Sequence, residues 1–156
     1  MASTKTAKLG KAQARRGFDA WQLARTGAEL SGELDAHALP RVEDRLQPGS
    51  APIRWRVSGT HDESGRPAIV VDIRGKVPLE CQRCLGKVEW PVEQTTLLLL
   101  ARDERELAVL DGDSEHEVVL AKSPLDPVTL VEDELTLTLP FAPRHADDGC
   151  ALPAAR

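Results

Sequence analysis

Two long stretches of alternating apolar residues, out of phase with each other, constrain the fold of this chain more than any other feature. Ile69, Val71, Ile73, Val77 and Leu79 occupy odd positions, with Asp72, Arg74 and Lys76 on the opposite face. Val88, Trp90, Val92, Leu98 and Leu100 occupy even positions, with Glu89 and Glu93 opposite. Alternation with a period of two marks a half-buried strand, and the segment joining two such strands of opposite parity must reset the phase. That segment, Cys81-Gln82-Arg83-Cys84-Leu85-Gly86, is expected to be an irregular turn. Upstream, Ile53, Trp55 and Val57 alternate with Arg54, Arg56 and Ser58, and the turn residues of 62–67 follow. Antiparallel strands near 53–60, 68–79 and 88–101 should therefore form a meander.

The flanking segments supply helices and shorter strands. Ala28 to Leu34 reads as a strand. Asp35 then offers an N-cap for a short helix over 36–46, with Leu39, Val42 and Leu46 on one face. Asp126-Pro127 is a helix start, because a capping carboxylate precedes a proline whose missing N–H costs nothing at the first helical position. Val128, Val131, Leu135 and Leu139 continue a helical stripe to 139, although Leu135, Leu137, Leu139 and Phe141 also alternate as in a strand; the reading is helix. Residues 102–117 are acidic and polar, with Asp111-Gly112-Asp113-Ser114 as a turn, and read as a loop before a short strand at 118–120. The expected fold is α+β: an antiparallel meander of about four to six strands against two or three short helices, with a Cys-x2-Cys knuckle between two strands.

Charge divides the chain. Residues 1–16 carry Lys5, Lys8, Lys11, Arg15 and Arg16, no acid and almost no large apolar side chain, and read as a mobile basic arm. The remaining residues, 17–156, read as one domain with 15 basic against 25 acidic side chains, a net charge of −10. Such a body repels a bare phosphate backbone, so any RNA contact must be local. The longest apolar run, Leu97 to Ala101, falls far short of the roughly 20 residues that cross a bilayer. No apolar segment of the secretory type follows the basic N-terminus, and the expected location is the cytoplasm.

Three cysteines in a chain without a secretory signal point to reduced thiols or metal ligands rather than structural disulfides. Cys81 and Cys84 form a Cys-x2-Cys knuckle between strands, and His145 and Cys150 add a His-x4-Cys pair. Three thiolates and one imidazole would make a closed Cys3His site for one structural zinc ion. Plain reduced thiols are the competing reading. A redox pair is disfavoured, because strands flank the knuckle and no helix N-terminus is available to lower a thiol pKa. No phosphate loop, nucleophile elbow or His-Glu-x-x-His is present. His37, His61 and His116 have no matching nucleophile and read as surface residues. Glu132, Asp133 and Glu134 are consecutive, so on a helix they diverge by about 100° per residue and read as a solvated face. Phe18, Trp21, Trp55, Trp90 and Phe141 are few, and with three of them in amphipathic segments they fit a core better than a stacking platform for bases. The chain is therefore not expected to be an enzyme.

The segments Val77-Pro-Leu-Glu-Cys-Gln-Arg-Cys-Leu85 and Val131-Glu-Asp-Glu-Leu-Thr-Leu-Thr-Leu-Pro-Phe-Ala-Pro-Arg-His145, followed by Cys150, resemble the YceD family, named for large ribosomal RNA subunit accumulation. Phe18 to Leu46, with Ser31-Gly-Glu-Leu34 and Leu39-Pro-Arg41, resembles the family's N-terminal part. Thr136 and Thr138 depart from it, standing where the family usually has aliphatic residues. The resemblance implies a bacterial, non-catalytic accessory factor in large-subunit biogenesis whose partner is a pre-ribosomal particle, ribosomal RNA or a basic ribosome-associated protein. The acidic body keeps an alternative open, a protein–protein adaptor docking on a basic ribosomal protein or nuclease without touching RNA.

Overall fold

The computed structural model describes residues 17–146 and 150, together with the backbone of residues 6–8. One mixed sheet runs in the order β1-β2-β3-β4-β5-β6, with β1 (Thr6–Lys8), β2 (Glu29–Asp35), β3 (Pro52–His61), β4 (Pro67–Glu80), β5 (Lys87–Ala101) and β6 (Glu117–Leu120). Strands β3, β4 and β5 form the antiparallel meander expected from the alternation, and β2 extends it antiparallel to β3. Both edge strands pair in parallel, β1 with β2 and β6 with β5. Among the described residues four α-helices accompany the sheet: α1 (Ala20–Thr26), α2 (Pro40–Glu43), α3 (Glu104–Asp113) and α4 (Pro127–Thr138). Of the segment read as a basic arm, only Thr6–Lys8 falls among the described residues, where it is β1; the rest lies outside them.

The alternating residues meet in one core. Ile53, Trp55 and Val57 of β3, Ile69, Val71, Ile73, Val77 and Leu79 of β4, and Val88, Val92, Leu98 and Leu100 of β5 are buried together. Each odd residue of β4 sits opposite an even residue of β5, as in Val77 opposite Trp90 and Leu79 opposite Val88. Leu23 of α1, Val42 of α2, and Leu130, Val131 and Leu135 of α4 join the same cluster. Burying each such side chain contributes about 1.5–3 kcal/mol.

Three local expectations need correction. The helix read over 36–46 is a 3-10 turn, Ala36–Ala38, then extended Leu39 and the single α-turn of α2. Pro40 is the cause, because its ring excludes the residue before it from helical geometry. The segment 102–117, read as an acidic loop, contains α3. There the Asp103 side chain accepts from Glu106 N–H as an N-cap, and Glu106 Oε1 accepts from the N–H of Arg102, the residue before the cap, so side-chain acceptors start a helix in a polar sequence. Because β6 runs parallel to β5, the chain needs a crossover there, and α3 provides it. Third, Glu134 of the cluster read as a solvated face points inward and is 4% exposed.

Helix α1 lies directly on β3 at Gly59, where an added Cβ would stand 1.7 Å from the carbonyl oxygen of Leu23. The obstacle is backbone and cannot swing aside, so only glycine permits this approach. Gly59→Ala should therefore cost about 1–3 kcal/mol or more, read as a lower midpoint in chemical denaturation with an unchanged slope.

Candidate metal centre

The turn joining β4 to β5 is closed by its own backbone. Cys81 N–H donates to the Gly86 carbonyl at 2.8 Å, Leu85 N–H donates to the Cys81 carbonyl at 2.8 Å, and Leu85 adopts a left-handed φ of 61°. This irregular conformation is the phase reset that the two strand patterns demand, and it turns the Cys81 and Cys84 side chains to the same side. The C-terminal segment comes to them because Pro140 and Pro143 carry it off the end of α4. There the buried Pro143 offers its carbonyl to Gln82 N–H at 2.8 Å.

Cys81, Cys84, His145 and Cys150, which lie far apart in sequence, thus have their donor atoms within 4.8 Å of one another. Cys81 Sγ lies 3.6 Å from Cys150 Sγ, and His145 Nδ1 lies 3.5 Å from both Cys84 Sγ and Cys150 Sγ. A disulfide needs about 2.05 Å between sulfurs, and all three thiols are free. The separations instead match the edges of a tetrahedron: ligand bonds of about 2.3 Å to sulfur and about 2.05 Å to nitrogen place sulfurs about 3.8 Å apart and sulfur and nitrogen about 3.6 Å apart. The cluster is able to hold a metal ion. His145 Nε2 lies 3.0 Å from the Lys87 carbonyl. Since a carbonyl only accepts, this contact places the ring proton on Nε2 and leaves the Nδ1 lone pair facing the sulfurs, the orienting arrangement usual for ligand histidines.

The surroundings separate the thiols electrostatically. Burial alone would raise the Cys81 pKa, but N–H groups of Cys84, His145 and Arg83 and the Cys150 thiol all favour its thiolate and hold it down at about 5. Burial, followed by the neighbouring Cys81 and Cys84 sulfurs, pushes Cys150 up to about 11. The cluster is therefore built to carry negative charge at one sulfur before any ion neutralises it.

The other residues singled out from the sequence lie elsewhere. His116 Nε2 is 3.1 Å from the Glu63 carboxylate, while His37 is partly buried with its Nε2 lacking a partner among the described residues. Glu132 and Asp133 both engage Arg41, whereas Glu134 accepts from the Thr96 hydroxyl at 2.7 Å. Burial pushes the Glu134 carboxyl up, with the Thr96 bond opposing it. The two carbonyls that seat the C-terminal segment, Lys87 and Pro143, were invisible to motif reading, because a backbone acceptor leaves no mark on residue type.

These features define a small α+β protein with a Cys3His cluster at the end of a long β-hairpin. The family model described as large ribosomal RNA subunit accumulation protein YceD matches residues 69–155, more than half of the chain, and the chain belongs to that family. The match spans the central hairpin, α4 and all four cluster residues. No solved structure matches the chain.

Because the Cys81 pKa falls from 9.0 in the unfolded chain to about 5, its contribution to metal-free stability is complete above pH 9 and is lost as the pH falls towards 5. The melting temperature of metal-free protein should drop across that window. Cys81→Ser should flatten the dependence, and an equally steep profile in the variant would show that the thiolate is not its source.

Proposed function

We propose that this protein is a non-catalytic accessory factor in biogenesis of the large ribosomal subunit, supporting synthesis, processing or accumulation of its RNA in the bacterial cytoplasm. The observation that carries the reading is the family membership, since the matched region contains both motif segments and the whole cysteine–histidine cluster. The family's name ties it to large-subunit ribosomal RNA, and its partner would be a pre-ribosomal particle. No described helix is long and apolar enough to cross a membrane, which is compatible with that setting.

Within this reading the cluster holds one structural zinc ion through Cys81, Cys84, Cys150 and His145 Nδ1. Three thiolates and an imidazole are a zinc donor set, and four protein ligands leave no position for a substrate. The ion would neutralise the thiolates and clamp the C-terminal segment to the β4–β5 turn. That segment has few apolar side chains with which to hold itself in place.

Two measurements test the proposal. Removing the gene should lower large-subunit ribosomal RNA relative to small-subunit RNA, and an unchanged ratio would sink the functional reading. Protein purified without chelator should contain zinc in equimolar amount, and Cys150→Ser should lose most of it. Reloading metal-free protein at neutral pH should release the Cys150 proton but none from Cys81, which is already a thiolate there. Substoichiometric zinc with three freely titrating thiols would mean that the cluster is only a set of packed side chains.

A further inference from the structure

Trp21 of α1 is only half-buried. The bridge between Phe18 and Leu125 brings the start of α1 to the segment after β6, and Ala121 N–H donates to the Ala101 carbonyl at 2.8 Å. The indole N–H of Trp21 is fixed on the Ala121 carbonyl at 2.9 Å. The Arg102 guanidinium lies over the ring, 5.3 Å from its centroid. Arg25, in the last turn of α1, and Lys122 complete the rim of an open depression of about 380 Å³.

Arg25, Arg102 and Lys122 are exposed and have no ion-pair partner among the described residues. Four arginines elsewhere are paired with acids. Arg41 engages Glu132 and Asp133, Arg66 engages Asp62, and Arg56 and Arg74 share Asp72 while reaching Glu29 and Glu93. On the open face of the sheet, Asp72 and its neighbours therefore offset Arg56 and Arg74, whereas the depression at Trp21 brings three cations without an ion-pair partner among the described residues to one aromatic ring.

We propose that this depression binds single-stranded RNA, with Arg25, Arg102 and Lys122 taking backbone phosphates and the guanidinium held over Trp21 offering its outer plane to a base. Arginine planes and aromatic rings stack on unpaired bases, whereas a duplex hides base faces. An acidic peptide would satisfy the charges but has no use for a planar cation already layered on an indole. The body's net charge of −10 confines phosphate to such a place, so affinity is modest and strongly salt-dependent. The inference rests on the proposed function only for the source of the RNA; the site rests on its own geometry.

The test is titration of the whole protein into a labelled, unstructured oligoribonucleotide, followed by fluorescence anisotropy over a range of salt concentrations. Three phosphate contacts on a single strand give a slope of log affinity against log salt of about −2. The triple variant Arg25→Gln, Arg102→Gln, Lys122→Gln should flatten that slope. Trp21→Leu should weaken binding about tenfold at an unchanged slope, since stacking carries no charge. Arg54→Gln with Lys76→Gln, which removes two exposed cations from the sheet face, should bind as the parent does. Wild-type melting temperatures in these variants separate lost contact from lost fold. Absence of RNA binding by the parent, equal binding by the triple variant, or binding of polyglutamate in preference to RNA overturns the proposal and leaves the proposed function standing. An unchanged ribosomal RNA ratio on gene removal overturns the function and leaves the titration intact.

Discussion

The antiparallel register between β4 and β5, which runs from Ala68 opposite Leu99 to Glu80 opposite Lys87, is the constraint on which the rest depends. It sets the odd residues of one strand against the even residues of the other, so both can face one core. It also delivers Cys81 and Gly86 to the closed end of the hairpin, where Cys81 N–H bonds the Gly86 carbonyl. A slip by one residue would turn Ile69, Val71 and Ile73 to solvent and separate the two thiols that the turn presents. Core and cluster therefore share one origin in the pairing of two strands.

Backbone carbonyls extend that pairing to the C-terminal segment. Lys87 begins β5 directly after the turn, and its carbonyl orients the His145 ring; Pro143 meets Gln82 inside the knuckle. Helix α4 directs the segment there by resting on the sheet through Leu130, Val131 and Leu135, while Arg41 of α2 ties the outer side of α4 through Glu132 and Asp133. Hydrogen bonds and packing thus help to position the residues able to hold an ion.

Charge is distributed by the same framework. Adjacent strands place Arg56 and Arg74 within reach of Asp72, so two arginines of the open sheet face share one acid. Three separate segments meet around Trp21, where Arg25, Arg102 and Lys122 have no ion-pair partner among the described residues. A net-acidic protein can in this way keep a local cationic surface, because acids further away than about a Debye length are largely screened by salt.

Much was legible in the residues alone. The three central strands, the phase reset at 81–86, the helix beginning at Asp126-Pro127 and the strand at 118–120 follow from local periodicity and capping, which depend on near neighbours in sequence. Cys81, Cys84, His145 and Cys150 could be named as a ligand set because thiols and imidazoles are rare and chemically distinct. The break at Leu39-Pro40 carried its own local signal in Pro40, which the apolar spacing of Leu39, Val42 and Leu46 does not show. Only the tertiary structure decided that the acidic segment after β5 would form the helix of a parallel crossover, that Glu134 would turn inward to Thr96, and that Trp21 would stay at the surface under Arg102. It alone brought His145 and Cys150 to the knuckle. These outcomes depend on which distant backbone carbonyl or side chain occupies a neighbouring place, and a periodic pattern along one strand or helix carries no information about its partner in space.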